Sequence, residues 1–221
     1  WADGKADGYL FDPHFLMEDW VFTDANFLTV EDVAFFLENT PYDTRSFLTD
    51  HRENGRSAAE LIVEASLNHD INPLVLLIKL QVESSVIFRE VRSSNFRLDR
   101  VMGCGCPDGD PECRFAPLGF GAQVNCAARL FRQYLTQLDD RGRTISGWAV
   151  GRSRDTADPV SITPANRATA ALYTYTPWVL RGQGGNWLFW NVYRKFANYL
   201  LDDMPNHHWV GGSCDGGCPY D

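Results

Sequence analysis

Glu83 is the residue whose type and setting point most directly to chemistry. It closes the stretch Pro73-Leu74-Val75-Leu76-Leu77-Ile78-Lys79-Leu80-Gln81-Val82, apolar at nearly every position. A helix that is apolar all round is buried. A carboxylate carried to the end of such a helix loses hydration and meets the negative end of the helix macrodipole. Both effects favour the neutral carboxylic acid, the form a glycosidase requires of its general acid. The plainer arrangement is that Arg89 or Arg92 pairs with Glu83, or that the helix end emerges into water.

The elements that must position this acid can be read from their ends. Asn72 before Pro73 is a helix start, a side-chain cap followed by proline in the first turn, and predicts a helix over 73–83. Ser57-Ala58-Ala59-Glu60 is a capping box opening a helix over 58–67. Thr29 caps a short amphipathic segment over 30–38, with acids at its start. Further helices are expected over 122–138, over 164–175 with Thr163 as cap, and over 187–201. Residues 93–121, with five glycines, three prolines and three cysteines, read as a stapled loop. Residues 144–162 hold short apolar stretches around a polar turn and read as a β-hairpin. With no repeat or low-complexity linker, the fold class expected is α+β, predominantly α-helical. An N-terminal extension (1–28) packs on a domain spanning 29–203, and a cysteine-containing tail (204–221) follows.

Composition narrows the function. The 221 residues are 44% hydrophobic and 13% aromatic, globular rather than disordered. The net charge of −9 argues against nucleic-acid binding, which needs Lys and Arg for phosphate contacts. No apolar run reaches membrane length; the longest, 73–80, is interrupted by Lys79. Residues 1–5 have neither the basic start nor the apolar stretch of a secretory leader, so any leader is expected to have been removed ahead of them. Six cysteines, four crowded between 104 and 126 and two near the end, point to disulfides and a secreted or periplasmic setting. The pairing adopted is Cys106–Cys113, Cys104–Cys126 and Cys214–Cys218. A zinc site using His207 and His208 beside Cys214 and Cys218 is the competing arrangement, but the spacing is not that of a finger, and no metal or cofactor is expected.

The segment Ile71-Asn72-Pro73 through Gln81-Val82-Glu83-Ser84-Ser85 resembles the catalytic-helix motif of the lysozyme superfamily, especially goose-type lysozymes and soluble lytic transglycosylases. Gly119-Phe120-Gly121-Ala122-Gln123 is similar to the Gly-Leu-Met-Gln segment that lines their cleft, with Ala122 in place of methionine. A nearer likeness is to secreted bacterial lysozyme-like domains, carried by Leu80-Gln81-Val82-Glu83, Gly103-Cys104-Gly105-Cys106-Pro107-Asp108, Cys113, Gly119-Phe120 and Ala168-Thr169-Ala170-Ala171-Leu172-Tyr173-Thr174-Tyr175-Thr176-Pro177. It spans about residues 47–199. The asparagine of the superfamily's Ala-Tyr-Asn-Ala-Gly segment is absent or replaced by Thr174.

The resemblance implies a lysozyme-like fold in which Glu83 protonates the bridging oxygen of a β-1,4 aminosugar link, that of peptidoglycan. An inverting hydrolase then needs a second carboxylate about 6.5–9.5 Å away, and Asp99 and Asp108 are the candidates. A lytic transglycosylase needs none, because the sugar's own 6-hydroxyl closes an anhydro ring. Asp108 also suits an ordinary turn. Gln123, Tyr173 and Tyr175 are candidate sugar-binding residues, and Trp148 and Trp178 candidate stacking platforms; each equally suits core packing. The negative charge favours glycan with free, cationic amino groups over acetylated, anionic strands, unless it is only a solvated surface. A monomer is expected. A non-catalytic glycan-binding module is the alternative of a different class.

Overall fold

The structure, a computed structural model, describes residues 5–6, 9–92, 98–106 and 116–202. Among these, seven α-helices carry the fold: α1 (Asp19–Thr23), α2 (Val30–Glu38), α3 (Ala58–His69), α4 (Pro73–Ser84), α5 (Phe120–Arg141), α6 (Arg167–Tyr175) and α7 (Gly185–Asp202). Three antiparallel two-stranded ribbons accompany them: β1 (Lys5–Ala6) with β2 (Tyr9–Leu10), β3 (Arg52–Glu53) with β4 (Arg56–Ser57), and β5 (Arg154–Asp155) with β6 (Ser161–Ile162). The chain is therefore α+β and predominantly helical, and no helix among the described residues is long and apolar enough to cross a membrane.

The helices begin where side chains can take up their free N–H groups. Thr29 and Asp32 form a capping box on α2, as Ser57 and Glu60 do on α3. Asn72, fully buried, accepts from the Leu74 N–H at 2.8 Å and donates to the Val21 carbonyl at 2.7 Å, so one side chain starts α4 and ties it to α1. The start of α5 is capped from outside the helix. Its N-cap Gly119 has no side chain, and Glu53 on β3 accepts the Phe120 N–H at 2.8 Å. A Cβ at Gly119 would lie 3.0 Å from that carboxylate, in a backbone already at φ 105°.

Two expectations are corrected. Helix α6 begins at Arg167, not at 164, and its cap is Asn166 rather than Thr163. Asn166 accepts from Thr169 N–H while donating to the Met17 carbonyl, and Asp19 accepts the Ala168 N–H. The N-terminal segment thus decides where α6 starts. Within 144–162 only β5 and β6 pair; Thr144–Trp148 is a closed turn, turned at Gly147 (φ 88°), that buries Trp148 against Tyr173.

One continuous core runs from Phe11 to Leu200. Phe11, Leu16, Met17, Val21, Phe22 and Leu28 belong to it, so the part of the expected N-terminal extension from residue 11 onward is built into the domain's core. At its centre lies α4, packed on α3, α5 and α7, with every residue from Pro73 to Leu80 buried. Full burial of side chains such as Leu76, Leu77, Ile78 and Leu80 contributes about 1.5–3 kcal/mol each.

Candidate functional site

The site is the C-terminal end of α4. The helix stops at Ser84 because Ser85 turns left-handed (φ 57°), and this leaves Glu83 at the boundary between core and water, its side chain 27% exposed. One turn earlier stands Lys79, only 1% exposed. Its ammonium contacts Glu83 Oε1, donates to Thr176 Oγ1 at 2.9 Å, and lies 4.5 Å from the centre of the Tyr175 ring. Tyr175 donates its hydroxyl to the Met102 carbonyl at 2.8 Å and stacks on Phe131. Burial, and after it the nearby Glu83 charge, pushes the Tyr175 hydroxyl well above the ordinary tyrosine range, so the group stays neutral.

A loop forms the other wall. Ser84 donates to the Val101 carbonyl at 2.9 Å, and a Cβ placed on Gly103 would stand 3.9 Å from Glu83 Oε2. Two devices hold this loop. Gln123 on α5, fully buried, accepts from the Cys104 N–H at 3.1 Å and the Met102 N–H at 3.4 Å, and donates to the carbonyls of Cys104 and Pro117. One turn further along α5, Cys126 forms a disulfide with Cys104. This bridge is the one expected. Cys106 is also disulfide-bonded, while Cys113, Cys214 and Cys218, the other members of the expected pairs, lie outside the described residues, as does the alternative zinc pair, His207 and His208.

The sequence-predicted residues divide accordingly. Glu83 and Tyr175 come together, bridged by Lys79. Gln123 has its amide committed to backbone groups beneath the loop, which leaves it no free group for a sugar. Tyr173 is fully buried, donates to the Pro13 carbonyl at 3.0 Å, and has its hydroxyl pushed above the usual range by burial. Trp148, 1% exposed, stacks on Tyr173 and presents no platform to solvent. Trp178 is partly exposed. Asp99 sits on the 3-10 turn Leu98–Arg100, just before the Val101 that receives Ser84, which puts this turn next to the end of α4. Asp108 lies outside the described residues.

The electrostatics depart from expectation in one respect. Glu83 does not end the helix unpaired: among the described residues the cation on it is Lys79, where Arg89 or Arg92 was expected. The sequence contained the signal: Lys79 is the charge in the apolar stretch, four residues before Glu83, a separation that brings two helical side chains together. Thr176 and the Met102 carbonyl had no such signal, because tertiary packing brings them in. Two open depressions among the described residues, of about 500 Å³ beside Cys126 and Arg129 and about 570 Å³ around Glu38, Asp43 and Tyr199, are not lined by Glu83.

No protein-family model, no curated protein and no solved structure matches this chain.

Proposed function

We propose that this chain cleaves the β-1,4 aminosugar links of peptidoglycan, with Glu83 as the general acid. The observation that carries the reading is the placement of Glu83: a carboxyl at the mouth of a buried helix, open to water on one side and walled by a loop that Gln123 and a disulfide hold still. General acids work from such half-dry positions, where proton transfer to a ligand oxygen is not outcompeted by solvent. Proton delivery to the bridging oxygen lets the bond to the anomeric carbon break, and the oxocarbenium-like state is then captured by water or by the sugar's own 6-hydroxyl. The Cys104–Cys126 disulfide supports an exported protein. The charge of −9 supports a preference for strands with free amino groups over fully acetylated, anionic ones.

One observation favours a non-catalytic glycan-binding module instead: Glu83 already has a charged partner, and Gln123, Tyr173 and Trp148 serve the core. Incubation with acetylated and with deacetylated peptidoglycan, followed by mass spectrometry of the products, decides between them. Reducing ends mean hydrolysis and anhydro ends mean transglycosylation. Faster turnover of the deacetylated strands supports the charge argument, and equal turnover removes it. Binding without any product leaves the module.

A further inference from the structure

In α4 the inner charge is buried more deeply than the outer one. Lys79 is 1% exposed among residues that are otherwise apolar from Pro73 to Leu80. A buried ammonium is costly, and replacing a buried ion pair by apolar groups of similar volume is often neutral or stabilising. A methionine would suit this helix better than a lysine. Yet the lysine is held from three directions: by Glu83 on its own helix, by Thr176 at the end of α6, and by the face of Tyr175, which is itself anchored to Met102 in the loop beside Glu83. Of these groups Glu83 is the carboxylate that reaches the water boundary.

We propose that Lys79 is a positioning residue for Glu83: from inside the core it fixes the carboxyl at the mouth of α4, in the orientation from which it meets the bridging oxygen. The inference rests on the glycan-cleavage reading above. Held in this way, the Glu83 carboxylic acid gives its proton to the bridging oxygen as the bond to the anomeric carbon breaks. In a transglycosylase the proton of the 6-hydroxyl returns to the Glu83 carboxylate as the anhydro ring closes; in an inverting hydrolase the proton of the attacking water goes to a second carboxylate. Tyr175, whose ring lies against the ammonium, takes no part: burial keeps its hydroxyl neutral, and the nearby Glu83 and Tyr134 push it the same way.

The test uses K79M, E83Q and the double variant on soluble glycan strands, with kcat, KM and thermal unfolding measured on each. K79M is expected to lose roughly 10–100-fold in kcat, the scale of a misplaced catalytic group, with KM and unfolding temperature close to wild type. In the E83Q background, K79M should cost nothing further. Wild-type turnover by K79M, or a change in KM alone, overturns the proposal. So does a lowered unfolding temperature, since the pair then serves the fold. If the wild-type protein cleaves no glycan, the functional reading itself fails and the role of Lys79 with it.

Discussion

Two sets of opposite charges in this molecule have the same chemistry and different surroundings. Arg45 donates to Glu38 at 2.8 Å and forks onto Asp50 at 2.6 and 2.7 Å, a well-formed arrangement at the surface, where Asp50 is 74% exposed. These bonds, Asp50 foremost, push the guanidinium further above its ordinary range and hold Asp50 below its own. Lys79, buried in the core, makes a simpler contact with Glu83 at the core's edge. For the surface cluster the alternative to pairing is hydration, which costs little to recover, so exposed pairs contribute little stability. Lys79 has no such alternative. What a charge contact is worth depends on what its members would have without it, and the Lys79–Glu83 contact is the one of the two that touches the site proposed for catalysis.

The comparison can be broken at several points. The largest effect expected is on turnover: Glu83→Gln should lower kcat by about 10²–10⁴-fold, the usual contribution of a general acid, with glycan binding retained in a pull-down on insoluble peptidoglycan. Gln123→Leu asks whether a neutral buried network matters as much as a buried charge. It leaves the Cys104 and Pro117 backbone groups unpaired and should cost about 2–4 kcal/mol in urea unfolding, with lower turnover as the loop leaves Glu83.

Asp158 is an intermediate case. Burial raises its carboxyl, but bonds from the Leu180 N–H, the Thr156 hydroxyl and the Val179 N–H outweigh it and hold the group below the usual aspartate range. Asp158→Ala should cost about 1–2 kcal/mol at neutral pH. Because the folded carboxyl is the lowered one, this advantage is full above the ordinary aspartate range and fades as pH falls through the lowered value; unfolding both proteins across acid pH checks the sign. The smallest effect is expected at Arg45→Ala: an unfolding temperature little changed, with whatever difference exists shrinking in high salt.

Much of the helical frame could be read from the chain because caps are local. Thr29, Ser57 and Asn72 lie within three residues of the N–H groups they satisfy, and all three helices begin where these residues stand. Thr163-Pro164 offered an equally good local start for α6 and lost to Asn166, which gains a bond to Met17 from the other end of the chain. The same limit explains the sugar-binding candidates. An amide or an aromatic ring suits a ligand and a core alike, and only the neighbours supplied by folding, Cys104 for Gln123 and Tyr173 for Trp148, decide which use is made of it.

By itself the sequence determined an apolar helix from Pro73, its asparagine cap, and an acid at its end, because periodicity and capping act over one or two turns. The tertiary structure decided what surrounds that acid. It turned Lys79 inward, set Thr176 and Tyr175 against it, and brought Gly103 beside Glu83 through a glutamine and a disulfide on another helix. Charge and hydrogen-bond energies depend on distance and on the water excluded between groups, and for residues far apart along the chain both are set only by the fold.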